Sequence, residues 1–144
     1  MRLTAYTDYG LRLLMYVAMK GDELSTIQEV ADAYGISKNH LMKVAYDLGQ
    51  HGFIETVRGR SGGLKLARSP ARIGLGDVVR RMEGDFTMVE CFAHTSNGCR
   101  ITRACRLKGV LKEALDAYMG VLDTYTLLDL TERNPALSKT LLSA

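Results

Sequence analysis

Three cysteines are the residues of this 144-residue sequence whose type and spacing most directly suggest chemistry. Cys91, Cys99 and Cys105 lie in one short stretch, separated by seven and then five residues. Thiolates are soft ligands that hold zinc or iron–sulphur clusters, and two thiols can also join in a disulfide. The stretch could therefore hold zinc, hold an iron–sulphur cluster or form a disulfide.

The spacing favours an iron–sulphur cluster over the alternatives. A disulfide would leave one thiol unpaired and requires an oxidising compartment. Structural zinc takes four ligands, often from tight Cys-x2-Cys pairs, and although His94 could supply the fourth, neither gap is that short. Wide, unequal gaps in a glycine-containing loop suit a cluster, and three thiolates would leave one iron for a ligand of another type. Spacing alone keeps zinc and a disulfide open.

Other features of the sequence exclude several classes of protein. The apolar stretch 13–19 is too short to cross a bilayer and follows Asp8 instead of a basic leader, so we expect a cytoplasmic protein without membrane association. His40, His51 and His94 fall on a helix, a turn and a loop. Because no nucleophile–base pair or catalytic metal motif joins them, we expect no enzymatic activity.

The elements that position these residues begin with two helices. The apolar spacing predicts a first helix that starts with Thr7 as its N-cap and ends at Lys20. A second helix is predicted to begin at a capping box formed by Ser25 and Gln28.

A tight turn follows the second helix. Gly35 can adopt the left-handed conformation that ends a helix, Ile36 then enters the core, and Ser37 caps a third helix that is polar and basic at its start. Two short helices joined in this way form the pattern of a helix-turn-helix motif.

A β-hairpin is predicted directly after the third helix. Residues 53–57 and 64–66 have the pattern of strands, and the glycine-rich residues 58–63 form the turn between them. A hairpin in this position is typical of a winged helix. The predicted fold class is therefore mainly α with a small β-hairpin wing.

Positive charge is concentrated in this region. Residues 37–68 contain six basic and two acidic side chains, a net charge of +4, whereas the whole chain carries +3. Such a cluster is expected of a surface that binds phosphates, although a solvated basic face remains an alternative.

The third helix is predicted to enter the major groove and the wing the minor groove or its phosphates. The predicted DNA-binding residues are Ser37, Lys38, Asn39, His40, Lys43, Arg58 and Arg60.

The remaining chain is predicted to form a short helix, a loop and a long helix. The short helix spans residues 75–83, the long helix spans about 102–125, and residues 126–129 form a turn before a partly disordered tail. The apolar face of the long helix is wide for so small a protein, so we expect it to pack against a second copy, or alternatively on its own winged helix. We assign 1–83 to DNA binding, 84–104 to the cluster-binding loop, and 105–144 to the dimerisation helix and tail.

These residues together resemble the NsrR-type repressors, the nitric-oxide-sensing branch of the winged-helix regulators that also include IscR and the iron-responsive RirA. The resemblance covers almost the whole chain. It rests on Leu3-Thr4, Thr7-Asp8-Tyr9-Gly10-Leu11-Arg12, Ser37-Lys38-Asn39-His40-Leu41-Met42-Lys43, Val57-Arg58-Gly59-Arg60-Ser61-Gly62-Gly63, Ala104-Cys105-Arg106-Leu107-Lys108 and Leu122-Asp123-Thr124-Tyr125-Thr126-Leu127.

The resemblance implies a homodimeric transcriptional repressor that binds palindromic operators and leaves DNA when its iron–sulphur cluster reacts with nitric oxide. It implies one cluster per subunit, held by Cys91, Cys99 and Cys105, with the partner subunit's Asp8 as the ligand of another type. For the nuclearity we expect 4Fe–4S in preference to 2Fe–2S. A regulator of the same family that senses iron or cluster status is the alternative, because the gap between Cys91 and Cys99 also resembles that of RirA.

Overall fold

The computed structural model of the protein describes residues 2–93, 95 and 97–143. These residues form helices and one antiparallel hairpin. The elements are α1 (Ala5–Lys20), α2 (Ile27–Tyr34), α3 (Lys38–Gln50), β1 (Ile54–Val57), β2 (Gly63–Leu66), α4 (Leu75–Met82), α5 (Arg106–Asp123), α6 (Leu127–Thr131) and α7 (Pro135–Leu142), with short 3-10 turns at Pro70–Arg72 and Glu90–Phe92.

The core lies between α1, α2, α3 and the hairpin, as the predicted winged helix requires. Each of the three helices contributes fully buried side chains, among them Leu13, Val30 and Leu41. Phe53, which directly precedes the hairpin, is also fully buried. In the hairpin, Ile54 pairs with Leu66. This arrangement confirms the predicted fold class.

The turn of the helix-turn-helix motif follows the sequence prediction. Gly35 has φ +65° and ends α2 in the left-handed conformation, which costs glycine less than any residue with a Cβ. Ile36 is buried directly after it. The N-cap of α3 is Ser37, but the side chain of Ser37 makes no capping hydrogen bond and stays exposed.

The starts of α1 and α2 differ from the predictions. Thr4, not Thr7, is the N-cap of α1, and its hydroxyl accepts a hydrogen bond from the backbone N–H of Thr7. The capping box of α2 is formed by Thr26 and Glu29 instead of Ser25 and Gln28. Ser25 is buried, and its backbone forms an isolated antiparallel bridge with that of Leu64 in the wing.

The long helix α5 begins at Arg106, later than the predicted start at 102. The hydroxyl of Thr102 donates to the carbonyl oxygen of Cys99 at 2.8 Å, and the N–H of Ala104 donates to Ile101 at 2.9 Å, so these residues form turns. Cys105 therefore lies at the N-cap of α5 instead of inside it.

Two helices, α6 and α7, follow α5 where a turn and a partly disordered tail were expected. Thr126 and Asp129 form a capping box that starts α6, and Pro135 occupies the first turn of α7. Leu127 and Leu141 are buried in the same core cluster as α1 and α3. The proposed boundary at residue 105 remains a prediction, although α6 and α7 thus pack against the winged helix.

Among the helices described, none is long and apolar enough to cross a membrane.

Candidate DNA-binding surface and metal-binding loop

The solvent-facing side of α3 carries the residues that the sequence predicted to contact DNA. Ser37, Lys38, Asn39, His40 and Lys43 are all exposed, whereas the apolar residues of α3 face the core. The first turn of α3 contains no acidic residue. The first turn of α3 can therefore approach phosphates without repulsion from a carboxylate of its own.

The hairpin contributes two further exposed cations. Two other basic residues nearby make contacts within the chain instead. Arg58 and Arg60 are exposed at the turn of the wing. By contrast, Lys65 pairs with Glu55 across the strands at 3.1 Å, and the guanidinium carbon of Arg68 lies 5.0 Å from the centroid of the Phe53 ring.

The four remaining cations of the basic segment are unpaired: within the described ranges, no salt bridge involves Lys38, Lys43, Arg58 or Arg60. They are available to a polyanion.

Two tyrosines of α1 hold the helix against α3. The hydroxyl of Tyr6 donates to the carbonyl oxygen of Lys43 at 3.1 Å and to Oδ2 of Asp47 at 3.2 Å. Burial, followed by the charge of Asp47, raises the pKa of Tyr6 and so keeps this donor protonated. The ring of Tyr9 stacks on His40, with centroids 6.4 Å apart. The orientation of α3 is thus coupled to that of α1.

The three cysteines lie on one loop between α4 and α5. Cys91 is in the 3-10 turn Glu90–Phe92, Cys99 is in irregular chain, and Cys105 precedes α5. All three thiols are free and half-buried. Cys91 also lines an open cleft of about 750 Å³ together with Lys108 and Lys112 of α5.

A hydrogen bond joins two segments within this loop. The side chain of Glu90 accepts from the backbone N–H of Gly98 at 2.7 Å, which brings the neighbours of Cys91 and Cys99 into contact. A Cβ on Gly98 would lie 2.9 Å from Oε1 of Glu90, so this close approach favours glycine.

The cysteines suit an iron–sulphur cluster in their chemistry, but one chain does not gather them into a finished site. In the described part of the chain, no group of three or more His, Cys, Asp or Glu side chains is arranged to hold a metal ion. His94, the possible fourth zinc ligand, lies outside the described residues. A cluster would therefore require the loop to close around it and a ligand from elsewhere.

Asp8 lies on α1 and is paired within its own chain. Its Oδ2 is 2.8 Å from Nη2 of Arg12, one helical turn later, and its side chain is 42% exposed. The Arg12 guanidinium carbon lies 5.9 Å from the ring centroid of Tyr34 on α2. Burial raises the pKa of Tyr34 to about 12, so its hydroxyl stays neutral beside this ion pair. Asp8 is accessible enough to contact another molecule.

Glu83 joins the start of α1 to the end of α4. The residue is 9% exposed, and a single carboxylate oxygen, Oε2, accepts three hydrogen bonds. The donors are the backbone N–H of Thr4 at 3.1 Å, its hydroxyl at 3.0 Å and the hydroxyl of Thr7 at 2.5 Å. We call this set, Thr4, Thr7 and Glu83, the Glu83 clamp. It connects the residue next to Asp8 with the residue that opens the cysteine loop.

This clamp cannot be read from the sequence. The apolar spacing and capping preferences give a local capping role to Thr7 only, and they place Glu83 at the end of a short helix. Its three bonds span 76 to 79 residues of chain, so no local pattern contains them.

Comparison with known proteins agrees with the fold and the predicted class of function. The family model described as "Rrf2: Iron-dependent Transcriptional regulator" matches residues 3–133. A Halalkalibacterium halodurans protein named HTH-type transcriptional regulator NsrR is 54% identical over 131 residues, 90% of each chain. The Bacillus subtilis (strain 168) protein of the same name is 53% identical over 142 residues, 98% of this chain and 97% of that one. These relatives are named as regulators, as expected of a chain that is not an enzyme.

Solved structures include the same fold. The oxidized form of Staphylococcus aureus CymR has a TM-score of 0.74 and 28% sequence identity to this chain, covering 92% of this chain and 97% of that one.

Replacing Lys43 or Arg60 with alanine should weaken DNA binding and flatten its dependence on salt. Each unpaired cation that contacts a phosphate releases counterions. Its loss should therefore make the negative slope of log K against log salt shallower by about 1 for each bound copy. Affinity for an operator duplex is measured by fluorescence anisotropy across a salt series. Lys139→Ala on α7 is the matched control and should behave as wild type. An unchanged slope for both variants would contradict the assigned surface.

Replacing Glu83 with alanine should lower the free energy of unfolding by about 2–3 kcal/mol, because it removes a charged acceptor and leaves the donors of Thr4 and Thr7 without it. Urea denaturation followed by circular dichroism measures the change. Glu132→Ala, at an exposed residue after α6, is the control and should change stability by less than about 0.5 kcal/mol. Equal stability of the two variants would show that the Glu83 clamp contributes nothing.

Proposed function

The chain belongs to the Rrf2 family of transcriptional regulators, and we propose that it is a homodimeric repressor whose DNA affinity depends on an iron–sulphur cluster that reacts with nitric oxide. The cluster would be held by Cys91, Cys99 and Cys105, with the partner subunit's Asp8 as the remaining ligand.

The observation that carries the proposal is the set of four unpaired cations on α3 and the wing. Lys38 and Lys43 are exposed on the recognition helix, and Arg58 and Arg60 on the hairpin beside it. A helix in the major groove flanked by a basic wing is how this fold reads DNA. Phosphate contacts would set the register, and Asn39 and His40 would contact base edges.

The first half of α5 supports a homodimer. Leu107 and Val110 are about 60% exposed, at 61% and 59%, although both are large and apolar. The other end of α5 is fixed to its own chain, where the Asp123 carboxylate forms two hydrogen bonds with Arg80 at 2.5 and 2.7 Å. These bonds hold the pKa of Asp123 below its ordinary value. Burying the free apolar face against a second copy would also define two reading heads at a fixed spacing and therefore a palindromic operator.

The cysteine loop supplies a reasonable ligand set for the cluster. Its thiols are free, and three thiolates leave a position for an oxygen ligand such as the partner subunit's Asp8. When bound, the cluster would supply an iron centre that can react with nitric oxide. The Asp8 carboxylate contacts the Arg12 guanidinium in the single chain, and an iron ligand at this position would share the carboxylate with that arginine.

Contacts within the chain could carry a change in the loop to the DNA surface. The Glu83 clamp fixes the N-cap residue and the first turn of α1 to the start of the loop. The tyrosines of α1 contact α3 at Lys43 and His40. Movement of α1 would therefore tilt the recognition helix and alter the spacing of the two heads, and a shift of about 1.4 kcal/mol changes affinity tenfold.

A regulator that senses iron or cluster status is the second candidate. The matching family is described as iron-dependent, which names iron and not nitric oxide. The two candidates use the same residues and differ in the signal that releases DNA.

Anaerobically purified protein should be coloured, with absorption in the visible range that disappears when any one of the three cysteines is replaced with serine. Operator binding should change on addition of nitric oxide to wild type but not to the cysteine variants, because these lack the reactive centre. Spectra and gel-shift titrations are recorded on the same samples. A chelator replaces nitric oxide in a parallel series and tests the iron-sensing candidate.

Thr95→Ala, an exposed residue of the same loop, is the matched control and should retain both the spectrum and the response. Cysteine variants that keep colour, operator binding and response would refute the assignment of the loop. A colourless, iron-free wild type that is still regulated on its operator would refute the cluster itself.

A further inference from the structure

Two large apolar side chains are exposed on the recognition helix. Met42 is 54% and Tyr46 69% exposed, whereas Leu41, Val44 and Leu48 of the same helix are buried. The two lie one helical turn apart on one face of α3. Neither was among the residues that the sequence assigned to DNA binding.

The surroundings of Met42 identify the surface to which it belongs. Residues three and four positions earlier in a helix share its face, and here these are Asn39 and Lys38, both exposed. Lys43 follows it directly and is also exposed. Met42 is therefore an apolar group inside a cationic and hydrogen-bonding surface, and it lies in the second turn of the helix, close to the end that approaches base edges.

This setting favours DNA over an apolar partner. A single exposed methionine is ordinary on a protein surface. A hydrophobic protein partner, however, would have to cover Lys38 and Lys43 and remove their charges from water, which is costly without carboxylates to pair them. The major groove offers phosphates to the lysines and one apolar group on its base edges, the C5-methyl of thymine.

We propose that Met42 contacts the C5-methyl group of a thymine in each half-site and so makes thymine preferred at that position. The inference rests on the proposed DNA-binding function and adds a specificity-determining residue to it. Tyr46 lies one turn later in α3, further from the end of the helix that contacts bases, and does not take this role.

The test removes one methyl group at a time from the DNA. A binding site is selected from randomised duplexes with full-length wild-type protein. Each thymine of one half-site is then replaced in turn with deoxyuridine, which lacks the methyl but keeps every hydrogen-bonding group. Wild type should lose about fourfold in affinity at one position, as expected from the burial of one methyl group. Met42→Ala should lose that discrimination and keep the pattern at all other positions.

Two further variants distinguish contact from general damage. Met42→Leu keeps an apolar side chain and should restore the uracil effect, whereas Tyr46→Ala should leave the effect in place. No uracil effect in wild type, the same effect in Met42→Ala, or its loss only in Tyr46→Ala would each overturn the inference while DNA binding itself stands. Failure of wild type to select any sequence would instead overturn the proposed function, and this inference with it.

Discussion

The contact between Glu83 and the start of α1 is the constraint on which the rest of the arrangement depends. A carboxylate that is almost fully buried is costly unless hydrogen bonds replace its hydration, and here one oxygen receives three of them. The carboxylate also lies at the N-terminus of a 16-residue helix, where negative charge is favoured. The clamp therefore fixes α1, and α1 in turn positions Asp8 on one side and the recognition helix on the other.

The cysteine loop is attached at one end to the clamp and at the other end to α5. It begins directly after Glu83 and ends at the N-cap of α5, so its two ends are fixed to different parts of the molecule. One end holds α1 through the clamp, and the other begins the helix with the exposed apolar face. A loop that closes around a metal centre would pull on both ends together. In the described part of the chain the three thiols do not form a finished metal site, so holding a metal centre would require the loop to close.

The sequence predicted the elements whose signals are local. The glycine at position 35, the buried Ile36 and the hairpin at residues 54–66 all follow from backbone preference and short-range pattern. The caps of α1 and α2 were misassigned because several Ser and Thr residues stand close together there, and tertiary contacts decide which of them is buried. Thr7 is withdrawn from solvent by Glu83, and Ser25 by its pairing with Leu64. The ordered tail was missed for a similar reason, because α7 is short and depends on burying Leu141.

For the candidate site, the residue types can be read from the sequence, whereas their surroundings are seen only in the structure. Cysteine spacing suggested a cluster, but no spacing shows whether thiols converge. In the proposed switch, the Glu83 clamp transmits the state of the loop to the DNA surface. This transmission is tested most directly by the ratio of operator dissociation constants for iron-loaded and metal-free protein, in wild type and in Glu83→Ala at a temperature where both are folded. If the clamp transmits the state of the loop, this ratio should be about tenfold or more in wild type and within about twofold of unity in the variant. An equal ratio in the two proteins would contradict it.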